Sequence, residues 1–429
     1  MFYNRQVKAR LVELLDDFRI VYLTGPRQSG KSTLAKEIAR EKGFGYHTFD
    51  DTALLASAQS DPHGLLASLP TPFVLDEFQM APALISAIKM LSDGADGRKG
   101  LFLLTGSSDI FRSAQVQESL PGHMARVELY PLSLTERLGG QGNSIDWLFN
   151  GTFENTPCKA LDRKALAELL MDGGYPEVVS KNPRSRNVWF TSYIEGRLLK
   201  DFEIMHHAKG DYHSKLSALT RYLAGLTGNL IKYANIANDL SQDDKTVKRY
   251  MEMLELMFII RRVHPYLRKN SKRGVIGMPK LHFIDTGLAC HLLGLKKPEL
   301  LYLSQFFGGL VENLVLSELL KHATWSEEDA AFYHFRDINK RELDLVIERS
   351  DGEAIGVEVK ASMSVKPEDF AGLSAFADYA GDRFMHGVLY YSGDTILPFR
   401  IKDRVFHALP ISSLWNDAPH PSPYRSPEL

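Results

Sequence analysis

Short, continuous apolar runs alternate with amphipathic stretches through the first 140 residues. Ile20-Val21-Tyr22-Leu23 precedes a helical pattern from Leu34 to Ala39, Phe73-Val74-Leu75 ends in two carboxylates, and Leu101 to Leu104 ends in hydroxyls. Runs of this length bounded by turn formers predict buried parallel strands, and the amphipathic stretches between them predict covering helices. Beyond two turn-rich stretches at 139–144 and 151–157, Leu161 to Met171 and Trp189 to Ile204 have helical spacing broken by Gly173-Gly174-Tyr175-Pro176. Leu216, Leu219, Leu223 and Leu226 form one helical stripe, followed by a polar turn and Lys245-Thr246-Val247-Lys248-Arg249. Two short helices around a polar turn, continued by the apolar run from Met251 to Ile260, predict a helix-turn-helix or winged-helix unit. The stretches 341–348 and 354–361 flank Asp351-Gly352 and predict two strands joined by a tight turn. The segments divide as 1–140, 141–210, 211–275, 276–412 and a proline-rich, loose tail at 413–429.

Bulk numbers narrow the class. A chain of 429 residues exceeds what one core usually organises, and 44% hydrophobic with 24% charged residues is ordinary for a globular protein. A net charge of −2 gives no global basic field, so contact with nucleic acid requires a local patch. Cys158 and Cys290 are far apart and fit neither a disulfide scaffold nor a cysteine metal site. No stretch approaches 18 unbroken apolar residues and the N-terminus lacks a signal-type core, so we expect a cytoplasmic protein without a membrane span.

The chemistry concentrates first at Gly25-Pro26-Arg27-Gln28-Ser29-Gly30-Lys31-Ser32-Thr33, set between a strand and a helix. Two glycines at this spacing let backbone N–H groups turn inward around phosphates, Lys31 reaches the terminal phosphates and Ser32 offers a hydroxyl to magnesium. The helix N-terminus adds its positive dipole end. Asp76 would hold the Mg2+ opposite Ser32, and Glu77 would orient or deprotonate the water attacking the γ-phosphate of ATP. Thr105 or Ser107, at the end of the next apolar strand, would sense that phosphate.

These motifs, with Glu128-Leu129-Tyr130-Pro131-Leu132-Ser133-Leu134-Thr135-Glu136, resemble the bacterial and archaeal AAA+ ATPases that carry a C-terminal domain of unknown function. The resemblance runs from about Val21 to about Lys366. It implies an α/β architecture: a P-loop NTPase (AAA+) domain, a helical lid at 141–210, a winged-helix unit and an α/β C-terminal domain. It also implies a homo-oligomer that completes its sites from a neighbouring subunit. The family's Gly-Arg pair before the Pro-Leu-Ser segment is Gly122-His123 here, which leaves Arg112 and Arg126 as substitute arginine fingers.

A second constellation lies at Asp344, Glu358 and Lys360. Residues i and i+2 share one face of a strand, so Glu358 and Lys360 point together and Asp344 reaches that face from the partner strand. With Glu312 from a preceding helix, the carboxylates make a candidate site for a hard divalent cation. The pattern is similar to the restriction-enzyme and resolvase type of nuclease fold, an acidic residue followed by Asp/Glu-x-Lys. Two functions stay open: an ATP-coupled DNA-processing enzyme with DNA as partner, or a regulatory ATP switch acting on proteins with a catalytically silent C-terminal domain.

Overall fold

The computed structural model describes residues 3–107, 124–153, 158–199, 202, 212–268 and 275–415. The chain divides into two compact units, one formed by Met1–Pro131 with Leu256–Ile259, the other by Leu132–Glu255 with Ile260–Leu429.

The first unit is a five-stranded sheet of β1 (Ile20–Thr24), β2 (Gly45–Thr48), β3 (Phe73–Asp76), β4 (Phe102–Gly106) and β5 (Met124–Glu128), in the order β2-β3-β4-β1-β5 and parallel throughout. Every residue of β1, β3 and β4 is buried. Strands apolar on both faces need helices on both sides, and α1 (Val7–Asp17) to α5 (Leu84–Asp93) supply them. Leu84, Ala87 and Ile88 of α5 join Tyr22, Phe73 and Phe102 in one core, each large side chain worth roughly 1.5–3 kcal/mol of burial. Because β4 is inserted between β3 and β1, the strand order reverses beside β1, the position at which open parallel sheets take ligands at the carboxyl ends of their strands.

The second unit is built on an eight-stranded mixed sheet in the order β12-β13-β11-β10-β9-β8-β6-β7. Its strands are β6 (Ile260–Pro265), β7 (Lys280–Phe283), β8 (Ala330–Arg336), β9 (Glu342–Arg349), β10 (Ala354–Lys360), β11 (Phe384–Tyr391), β12 (Leu397–Ile401) and β13 (Arg404–Pro410). A buried helix, Phe307–Ala323, precedes the antiparallel run β8-β9-β10; the helix Ala371–Ala380 then carries the chain to β11, parallel to β10. Phe335, Leu343, Val346, Phe376 and Phe406 pack between this sheet and Ala371–Ala380.

Four expectations meet a different arrangement. The helices at 163–172 and 183–193, anticipated as a lid on the first domain, group with the second unit. Asp285 ties them there by accepting from Gly174 N at 2.6 Å and Leu288 N at 2.8 Å. The basic residues from Lys245 ride on one continuous 13-residue helix, Asp244–Leu256, because Val247, Tyr250, Met251 and Leu254 give it an unbroken buried face. The helices Tyr212–Gly225, Tyr233–Asp239 and Asp244–Leu256 lead into the antiparallel pair β6–β7, and β6 also pairs with β8, so no domain boundary falls at 275. Of the tail anticipated as loose at 413–429, the first three residues instead belong to the short helix Ile411–Trp415, with Ser413 and Leu414 buried; the rest, from 416 onward, lies outside the described residues.

Candidate functional sites

In the first unit the loop between β1 and α2 (Lys31–Lys42) is fixed by its glycines. A Cβ on Gly25 would stand 2.1 Å from the Leu129 carbonyl oxygen, and Gly30, at φ 100°, caps α2 in left-handed backbone that other residues adopt at a cost. The buried Lys31 ammonium donates to the carbonyls of Gly25 at 2.9 Å and Pro26 at 2.8 Å. Ser29 is buried, whereas Gln28 and Thr33 are exposed. Arg5 clamps the loop from outside the motif, donating to the Ser29 and Tyr130 carbonyls, each at 2.7 Å.

The acidic strand end meets this loop. Ser32 Oγ lies 3.2 Å from Asp76 Oδ1, and the Thr105 hydroxyl donates to the same oxygen. Tyr46 donates to Asp76 Oδ2; burial, then the Asp76 bond, raises its phenol pKa. Glu77 sits at φ 57°, in the left-handed region, immediately beyond β3. Gln79 holds it: the amide donates to the Glu77 carboxylate and to Ser107 Oγ at 3.0 Å, and its oxygen accepts from Ser107 N at 3.3 Å. Ser32, Asp76, Thr105 and Glu77 thus converge at the ends of two strands, β3 and β4, and the start of one helix, α2. Arg126, on β5, pairs with Glu128; Arg112 lies outside the described residues.

In the second unit Asp344, Glu312, Glu358 and Lys360 come together around a residue the sequence pattern did not single out. Lys280, on β7 and 1% exposed, sends its ammonium to Glu312 Oε1 at 3.0 Å, Asp344 Oδ1 at 3.0 Å and Glu342 Oε1 at 2.8 Å. The other Asp344 oxygen accepts from Val359 N at 2.9 Å, and Lys360 pairs with Glu358 Oε1 at 2.8 Å. Burial pushes the Asp344 carboxyl up, but the Lys280 charge outweighs it and holds it below its ordinary range. Burial, then the neighbouring Asp344 charge, drives Glu358 up to about 8. His282, on the same strand as Lys280, is held neutral by burial and the Lys280 charge, its pKa lowered to about 3. Among the described residues no group of three or more His, Cys, Asp or Glu side chains is arranged to hold a metal ion. The signal for Lys280 was present in the chain: a lysine opening the apolar run Leu281 to Ile284 must find carboxylates when it is buried.

Lys245, Lys248 and Arg249 are exposed on the helix Asp244–Leu256. The basic stretch that follows is partly consumed within the fold. Arg262 donates to Glu255 and to the Tyr233 hydroxyl, and Arg268 pairs with Asp382. Lys269, Lys272 and Arg273 lie outside the described residues.

Residues 17–138 match an AAA domain family; 163–299 and 307–414 match two families described as domains of unknown function (DUF8612 and DUF4143). An uncharacterized protein of Mycobacterium tuberculosis is 28% identical over 362 residues, 83% of this chain and 74% of its own. One of Methanocaldococcus jannaschii is 23% identical over 427 residues, 96% and 90% of the two chains. Among solved structures, a Walker-type ATPase of Pyrococcus abyssi aligns with a TM-score of 0.43 at 14% identity, covering 68% of this chain and 96% of that one. The RuvB Holliday junction branch migration motor of Thermotoga maritima aligns with a TM-score of 0.31 at 17% identity, covering 61% and 90%. No helix among the described residues is long and apolar enough to cross a membrane. The phosphate loop, the parallel sheet and the match of residues 17–138 to the AAA domain family together support an AAA+ P-loop ATPase for the N-terminal part of the chain.

Proposed function

We propose that the first unit is a magnesium-dependent ATP hydrolase in which the amides of Gly25 to Thr33 and the Lys31 ammonium hold the triphosphate and Glu77 takes the proton of the attacking water. The observation that carries this reading is the approach of Ser32 Oγ to Asp76 Oδ1 at 3.2 Å beside the loop, an oxygen-only pair suited to a hard cation. Ser32 and Asp76 would hold Mg2+, which when bound neutralises charge developing on the phosphate oxygens. Thr105, already bonded to Asp76, aligns that carboxylate, and Gln79 orients Glu77. The test is Glu77→Gln: ATP binding should persist by calorimetry while turnover drops about 10²- to 10⁴-fold, the usual weight of a positioned base. Unchanged turnover would remove Glu77 from the mechanism.

We further infer that ATP turnover serves DNA binding, through the exposed Lys245, Lys248 and Arg249 on the third helix of a winged-helix arrangement. Three helices followed by an antiparallel strand pair support the winged-helix reading. The order helix, three antiparallel strands, helix, parallel strand, with Asp344 and Glu358-x-Lys360 on adjacent strands, supports a nuclease-like reading of the C-terminal domain. Lys280 favours one element of the second function left open by the sequence, the catalytically silent C-terminal domain, whereas the exposed basic helix keeps DNA, not a protein, as the partner of this reading. The Lys280 ammonium takes the carboxylate oxygens that a divalent metal needs, so the donor set does not fit such a metal. Incubation of plasmid, branched and single-stranded DNA with Mg2+ or Mn2+ should leave all three intact; cleavage lost in Asp344→Ala would restore the nuclease function.

A further inference from the structure

Four acidic side chains converge in the second unit, and their charge is answered from inside the chain. Glu342 and Asp344 lie two apart on β9 and share a face, Glu358 comes from β10, and Glu312 from the helix Phe307–Ala323. An ammonium has three N–H donors, and that of Lys280 has three carboxylate oxygens at 2.8–3.0 Å. Its coordination is complete. The Lys280 backbone is held in place by pairing with Val263 of β6 on one side and Leu230 on the other, and its side chain, 1% exposed, is enclosed. A divalent cation binds oxygens at about 2.0–2.6 Å and would need the same Asp344 and Glu312 oxygens. Two cations that close, in a site shielded from water, repel strongly. One acceptor in the nest is left over: Glu358 Oε2 is buried and has no hydrogen-bond partner, while Oε1 takes Lys360.

We propose that Lys280 is the resident cation of this nest: its ammonium occupies the position of a divalent metal, and removing it converts the nest into a divalent-cation site built from Asp344, Glu312 and the orphaned oxygen of Glu358. The inference deepens the non-cutting reading of the C-terminal domain, but its readout is cation binding, so failure of the ATPase or DNA readings is distinguishable from failure of this one.

The experiment titrates Mn2+ alone into the nucleotide-free, full-length chain, followed by electron paramagnetic resonance. All proteins carry Asp76→Asn so that the ATPase unit contributes no metal site. With Lys280 intact, no Mn2+ binding that depends on Asp344 is expected. Lys280→Met should gain one Mn2+ site at least tenfold tighter than any residual binding, lost again when Asp344→Asn is added. Mn2+ should also raise the melting temperature of Lys280→Met and leave that of the Lys280 protein unmoved. Asp344-dependent Mn2+ binding with Lys280 intact, or a folded Lys280→Met that gains none, overturns the proposal. Should Lys280→Met fail to fold, Lys280→Gln provides the same comparison, and the Lys280-intact titration by itself decides against the proposal if Asp344-dependent binding is found.

Discussion

Glu77 occupies left-handed backbone at φ 57°, a conformation that costs a non-glycine residue of order 1–3 kcal/mol unless the surroundings hold it. Gln79 and Ser107 do the holding, which ties the proposed base to the end of β4. Gln79→Ala should therefore lower turnover more than it lowers ATP affinity, measured as kcat against KM. Gly25 is constrained in the opposite sense, by lack of room. Gly25→Ala would drive a methyl against the Leu129 carbonyl, destabilising the protein by about 1–3 kcal/mol in urea unfolding and weakening nucleotide binding with it. Glu358 sets a pH dependence. In the folded protein it keeps its proton up to about pH 8, whereas an unfolded glutamate releases it near its ordinary ~4.3. Between those limits the folded state binds more protons, so this group's contribution to stability falls as pH rises, by up to ~1.4 kcal/mol per unit. Glu358→Gln should flatten that slope in urea melts between pH 5.5 and 7.5; an unchanged slope would mean the carboxyl is ionised throughout.

At the scale of elements, the helix Asp244–Leu256 buries Val247, Tyr250, Met251 and Leu254 and turns Lys245, Lys248 and Arg249 outward. Replacing Lys248 and Arg249 together by Ala should leave the melting temperature unchanged, lower affinity for duplex DNA, and reduce the salt dependence of binding by about two units if both contact phosphates. Loss of stability without a change in salt slope would make them part of the packing. The elements themselves were largely readable. The strands β1, β3 and β4 announce themselves as apolar runs ending in glycine, carboxylate or hydroxyl, because a parallel strand buried on both faces has no polar alternation to blur it. Where an element ended was harder to read. Nothing local distinguishes a helix that covers the ATPase sheet from one that packs on a later segment, and the placement of 163–193 hangs on Asp285, more than ninety residues downstream.

On the whole-molecule scale, the chain passes between its two units at 131/132, 255/256 and 259/260. If a neighbouring subunit completes the ATPase site, as in the resembling family, light scattering should show a larger assembly with ATP than without it, most clearly in Glu77→Gln, where hydrolysis no longer ends the bound state. The sequence by itself determined the phosphate loop, the acidic strand end and the proximity of Asp344 to Glu358, since each follows from spacing along one strand, one turn or one hairpin. Only the tertiary structure decided what clamps the loop and what answers those carboxylates. Arg5, Tyr46 and Lys280 reach their partners across long gaps in the chain, and a buried charge's partner is fixed by burial and geometry rather than by distance in sequence.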